Sequence, residues 1–124
     1  MGERATVLIC DDDERLRELM RVTLEPDYEC IEAPDADAAL ELFRTARPAV
    51  ALLDVMLPGK SGIELLREVR ADPEITATPV IVVSAWTRET DRDAASDAGA
   101  DAFLGKPFEI DELRRTVGDL LTGR

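Results

Sequence analysis

Three stretches of the chain are apolar without interruption: Val7-Leu8-Ile9, Val50-Ala51-Leu52-Leu53 and Val80-Ile81-Val82-Val83. A strand with one wet face alternates apolar and polar residues, so unbroken runs of this length predict strands covered on both faces, as in a parallel sheet. They sit within five short apolar segments, residues 5–10, 28–33, 49–53, 79–83 and 101–104. Between the segments the apolar spacing changes to that of a helix. Leu16, Leu19, Met20, Thr23 and Leu24 share one face of a first helix, and Ala36, Ala39, Leu40 and Phe43 share one face of a second. Asp35 is placed to cap the second, and Ser61-Gly62-Ile63-Glu64 has the capping-box pattern that opens a third. Gly99 is placed to stop a fourth. Ile110, Leu113, Val117, Leu120 and Leu121 mark the last.

The order is strand then helix, five times over. Right-handed crossovers turn that alternation into an open, doubly wound α/β sandwich with helices on both faces. Neither a linker nor an internal repeat interrupts it, and 124 residues suit one domain, expected over residues 4–121. In such sheets ligands bind beyond the carboxyl ends of the strands. Strand one ends in Asp11-Asp12-Asp13, strand three in Asp54, strand four in Ser84 and strand five in Gly105-Lys106-Pro107. The fold therefore gathers carboxylates, a hydroxyl and an ammonium at one edge. Clustered carboxylates repel one another unless a cation or a raised pKa intervenes. Hard oxygen donors of this kind suit Mg²⁺, and Mg²⁺ beside a carboxylate, a hydroxyl and a lysine is a layout for phosphoryl transfer.

Charge and composition narrow the picture. Against 15 Lys and Arg stand 27 Asp and Glu, a formal net charge of −12. So acidic a surface repels nucleic acid and anionic lipid, which puts any DNA-binding output on another domain or chain. Histidine is absent, which excludes His-based triads and a phosphohistidine relay role. Cys10 and Cys30 form no Cys-x-x-Cys pair and read as two buried free thiols of a cytoplasmic protein. No apolar run approaches the ~18 residues of a membrane span, and no signal peptide opens the chain. Gly2 and Thr6 formally fit a myristoylation pattern loose enough to arise by chance.

Val7-Leu8-Ile9-Cys10-Asp11-Asp12-Asp13, Leu53-Asp54-Val55-Met56-Leu57-Pro58-Gly59, Val83-Ser84-Ala85 and Lys106-Pro107-Phe108 together resemble the four signatures of response-regulator receiver domains of two-component signalling. The likeness runs from about Thr6 to Leu121. It implies a flavodoxin-like sheet of order 2-1-3-4-5, the strand order of flavodoxin and of chemotaxis receivers. It also implies roles. Asp54 would take a phosphoryl group from a histidine kinase or a histidine phosphotransfer protein. Asp11, Asp12, Asp54 and the main-chain carbonyl of Met56 would hold Mg²⁺. Ser84 and Lys106 would bind phosphoryl oxygens, and Phe103 matches the aromatic residue that turns inward on activation. The Lys106-Pro107 bond would be cis. The face built by the fourth helix, fifth strand and fifth helix would then signal to an output domain or protein, with a phosphorylation-dependent homodimer as one form of read-out. The protein would be a switch that catalyses only its own phosphorylation and dephosphorylation.

Ser84 and Ser61 stand where Thr and Asp are frequent in the family, and neither change removes a catalytic group. Asp13 and Glu14 read more simply as acids favouring the first turn of a helix. The resemblance implies that the residues two beyond Asp54 and Ser84 flank the path of the attacking water. Here these are Met56 and Trp86, which carry no group to orient it, so slow loss of the phosphate is expected. Two rival readings are a degenerate receiver serving only as a protein-binding module and an aspartyl-phosphate phosphatase. The first would lack an Asp, the hydroxyl or the Lys. The second would carry a second Asp where Met56 stands.

Overall fold

In a computed structural model that describes residues 4–85 and 88–122, five parallel strands form one sheet of order β2-β1-β3-β4-β5. Gly2 and Trp86 lie outside the described residues. The elements are β1 (Thr6–Cys10), α1 (Glu14–Leu24), β2 (Glu29–Ala33), α2 (Ala36–Thr45), β3 (Val50–Asp54), α3 (Gly62–Ala71), β4 (Val80–Ser84), α4 (Glu89–Ala98), β5 (Ala102–Gly105) and α5 (Ile110–Thr122). This is the flavodoxin-like (βα)5 architecture.

Successive residues of the central strands enter opposite cores. Leu8, Cys10, Ala51, Leu53, Val80 and Val82 face one core with Phe43, Leu65, Val69, Ala95 and Ala98 from α2, α3 and α4. Val7, Ile9, Val50, Leu52, Ile81 and Val83 face the other with Met20, Leu24, Leu113 and Val117 from α1 and α5. Covering both faces explains why those strands are apolar throughout. Burying each large aliphatic or aromatic side chain stabilises the fold by about 1.5–3 kcal/mol. Edge strand β2 is the exception, with Glu29 and Glu32 exposed.

Helix ends follow the expected chemistry. The Asp35 side chain accepts from Ala38 N–H, Ser61 from Glu64 N–H, and Asp13 from Arg15 and Leu16 N–H. Gly99 closes α4 at φ 106°, in the left-handed region. Three apolar positions differ from expectation. Leu19 is 44% exposed, because it lies on the flank of α1 off the face that meets the sheet, and Ile110 is 45% exposed at the first residue of α5. Cys30 is only half-buried, since β2 has no further strand outside it.

Candidate functional site

The β1–β3 register pairs Cys10 with Leu53, so the residues that follow, Asp11 and Asp54, emerge side by side. Both are buried, at 1% and 4% exposure, whereas Asp12 is exposed. One carboxylate oxygen from each of Asp11, Asp12 and Asp54 falls within 4.8 Å of the others. From the far side of the sheet Lys106 reaches in: its Nζ donates to Asp11 Oδ2 at 2.9 Å and stands 3.4 Å from Asp54 Oδ2. The backbone aims it. Ser84 pairs with Gly105, and Lys106 N–H donates to the Ser84 carbonyl at 2.8 Å. The following Lys106-Pro107 bond is cis. Ser84 itself is buried at the same edge.

Electrostatics follow from this crowding. Burial and the Asp11 charge push the Asp54 carboxyl above its ordinary pKa, while Lys106 and the Met56 amide, which donates to Asp54 Oδ1 at 3.2 Å, pull it back. Burial, then Asp11, Asp35 and Asp54, push the Cys10 thiol up to about 12, so it stays protonated. A thiol in that state is inert, consistent with a packing role. Met56 exposes half of its surface beside Asp54.

Phe103 is partly buried against the core, with the Arg92 guanidinium 4.6 Å from its ring centroid. A cavity of about 100 Å³ between Phe103 and Ser84 is completed by Val55, Ile63, Asp91 and Ala94. Asp13 is the α1 cap, as its place in the chain implies.

Two residues of the site escaped sequence reasoning. Gly62 packs on the backbone of the site: a Cβ there would lie 2.1 Å from the Asp54 carbonyl oxygen. Its signal was available, because glycine is a poor choice for a first helical turn unless something approaches closely. Arg17 donates from Nη1 to the Asp11 carbonyl at 2.6 Å. Nothing local in the sequence marks it, since its other partner, Glu32, comes from β2.

The sequence model of the response regulator receiver domain matches residues 7–118. The chain belongs to that family. This receiver is 41% identical over 110 residues to the transcriptional regulatory protein CseB of Streptomyces avermitilis, covering 88% of the chain and 46% of CseB. It is 42% identical over 109 residues to the KDP operon transcriptional regulatory protein KdpE of Escherichia coli, covering 87% of the chain and 47% of KdpE. The receiver thus spans about half the length of these relatives. Among solved structures it superposes on the Francisella response regulator 1452 receiver domain with a TM-score of 0.90 and 32% identity, over 97% of this chain and 98% of that one. For a response regulator from Chloroflexus aurantiacus the TM-score is 0.92 at 32% identity, over 97% and 99%.

Proposed function

We propose that the chain, over residues 4–121, is a phosphorylation switch whose acceptor is Asp54. The observation that carries this reading is the Asp54 carboxylate, which shares a 4.8 Å cluster with Asp11 and Asp12 while Lys106 stands 3.4 Å away. A phosphohistidine on a histidine kinase or phosphotransfer protein presents its phosphorus to an Asp54 oxygen. The new O–P bond forms as the P–N bond breaks, and the imidazole keeps the bonding electron pair. Lys106 and Ser84 bind the equatorial oxygens, and positioning with charge neutralisation is most of what such a transfer needs.

The donor set fits Mg²⁺: hard carboxylate oxygens from Asp11, Asp12 and Asp54, to which the Met56 main-chain carbonyl would add another oxygen donor. When bound, Mg²⁺ neutralises charge on the transferring group and on the cluster. Lys106 stands within 2.9 Å of Asp11 and 3.4 Å of Asp54 and so offsets their mutual repulsion. Asp54, Ser84 and Lys106 are all in place, which argues against a receiver that only binds partners. Met56 in place of a second Asp argues against a phosphatase.

Once formed, the acyl phosphate draws Ser84 and Lys106 toward it and biases α4, β5 and α5 between two arrangements. Phe103 on β5 moves toward the cavity it shares with Ser84. CseB and KdpE are transcriptional regulatory proteins. With a net charge of −12, an analogous output here belongs to another domain or chain, controlled in the cytoplasm through this face or through a homodimer it forms. Acetyl phosphate tests the reading. It holds if mass is added only with Mg²⁺ present and maps to the peptide bearing Asp54. Addition that ignores Mg²⁺ or maps elsewhere rejects it.

A further inference from the structure

Asp12 is the exposed member of the acidic cluster, and among the described residues no hydrogen bond holds its carboxylate. Its direction must therefore come from the backbone. The peptide before it carries the Asp11 carbonyl, which accepts from Arg17 Nη1 at 2.6 Å. The peptide after it carries the Asp13 N–H, which donates to Asp11 Oδ1 at 2.8 Å. Both planes flanking Asp12 are thus fixed, one by Arg17 and one by Asp11 itself.

Arg17 is held in turn. Its Nε pairs with Glu32 Oε1 at 3.2 Å, and the other Glu32 oxygen pairs with Arg21 Nε at 3.2 Å. The Arg17 side chain is 15% exposed, so little solvent competes for it. The planar guanidinium serves a carbonyl and a carboxylate in two directions at once, which an ammonium on a flexible stem does not reproduce. We infer that Arg17 is a positioning residue for the cation site, aiming Asp11 and Asp12 through the carbonyl that joins them. This rests on the functional reading above.

The sign of the effect separates this role from simple electrostatics. Arg17 is a positive charge beside an acidic cluster, and by charge alone its removal would tighten binding of a cation. Positioning predicts the reverse. Losing a partner that orients metal ligands typically weakens metal affinity about 10–100-fold.

The test titrates Mg²⁺ into the wild type, Arg17→Lys, Arg17→Met and Glu32→Gln, following binding by calorimetry. Exchange of the Asp13 amide and thermal melting are recorded without metal. Arg17→Lys and Arg17→Met are expected to bind Mg²⁺ at least tenfold more weakly and to exchange the Asp13 amide faster before any metal is added. Glu32→Gln, which keeps an acceptor for Arg17, is expected to stay within about threefold of wild type, below the roughly 10–100-fold range expected when a ligand-orienting partner is lost. Arg17 variants that bind Mg²⁺ as well as wild type, or melt lower with unchanged affinity, overturn the inference and leave Arg17 a structural tie between α1 and β2. A wild type that binds no Mg²⁺ removes the functional reading and this inference together.

Discussion

Lys106 Nζ lies 2.9 Å from Asp11 Oδ2, although the two residues are 95 positions apart in the chain. The contact spans from the end of β5 to the end of β1 and passes beside Asp54 on β3. Burial opposes the lysine's charge. The hydrogen bond to Asp11 and the charges of Asp11 and Asp54 outweigh it, and the ammonium's pKa rises above its ordinary value. The cation is therefore stationed between two carboxylates that would otherwise repel.

Its compensation of Asp54 is incomplete, and that has a pH signature. The folded pKa of Asp54 lies above its ordinary 3.8, so the folded state binds the proton more tightly than the unfolded one. Stability of the metal-free protein then falls as pH rises from 3.8 through the folded pKa, and the cost is fully present above that folded pKa. Asp54→Asn is expected to raise the metal-free melting temperature at pH 7. The gap from wild type should close as pH drops below 3.8, where both side chains are neutral. A gap independent of pH contradicts this.

Mg²⁺ should act on the same repulsion. The three carboxylates are gathered only in the native state, so an ion held by them is expected to favour the folded chain and stabilise it by linkage. At about 100 times its dissociation constant the gain is about 2.7 kcal/mol. Asp12→Ala is expected to abolish most of the Mg²⁺-induced rise in melting temperature. It should have little effect without metal, because Asp12 is exposed. Thermal melts across a Mg²⁺ series check both halves.

Gly62→Ala should damage the site by steric means alone. Its Cβ would meet the Asp54 carbonyl oxygen at 2.1 Å and the Val55 Cα at 3.1 Å. Neither is a flexible side-chain end, so the β3–α3 connection must shift. Overpacking of this kind costs typically about 1–3 kcal/mol. The variant is expected to melt lower and to accept phosphate more slowly at saturating Mg²⁺. Wild-type behaviour in both measurements would show that the loop yields freely.

Helix α4 is the expected moving part. It buries only Ala95 and Ala98, where α1 buries Met20, Thr23 and Leu24 and α5 buries Leu113 and Val117. Little apolar burial means low local stability, and switching elements come from that end of the range. Amide exchange should be faster in α4 than in α1 or α5, and beryllofluoride with Mg²⁺ should change α4 most. Equal protection in all three, unaltered by beryllofluoride, would place the switch elsewhere.

Most of this architecture was legible in residue patterns. Val80-Ile81-Val82-Val83 declares a strand covered on both faces because no polar residue interrupts it. Asp35, Ser61 and Gly99 declare helix ends because each supplies a group or a backbone angle the end requires. The pairing of Asp54 with Lys106 was legible only through the fold, which brings separate strand ends to one edge. Arg17 was not legible at all. Its function depends on the β1–β2 register, which sets Ile9 beside Glu32 and so puts a carboxylate within reach of the guanidinium. Leu19 misled because helical spacing defines an apolar stripe but not how much of it the sheet covers.

The proposed switch depends above all on Asp54 being the residue phosphorylated. Intact-mass spectrometry of wild type and Asp54→Asn, each incubated with acetyl phosphate and Mg²⁺, tests it most directly. Wild type is expected to gain a single phosphoryl group and the Asn variant none. Addition to the variant at the wild-type rate would contradict it.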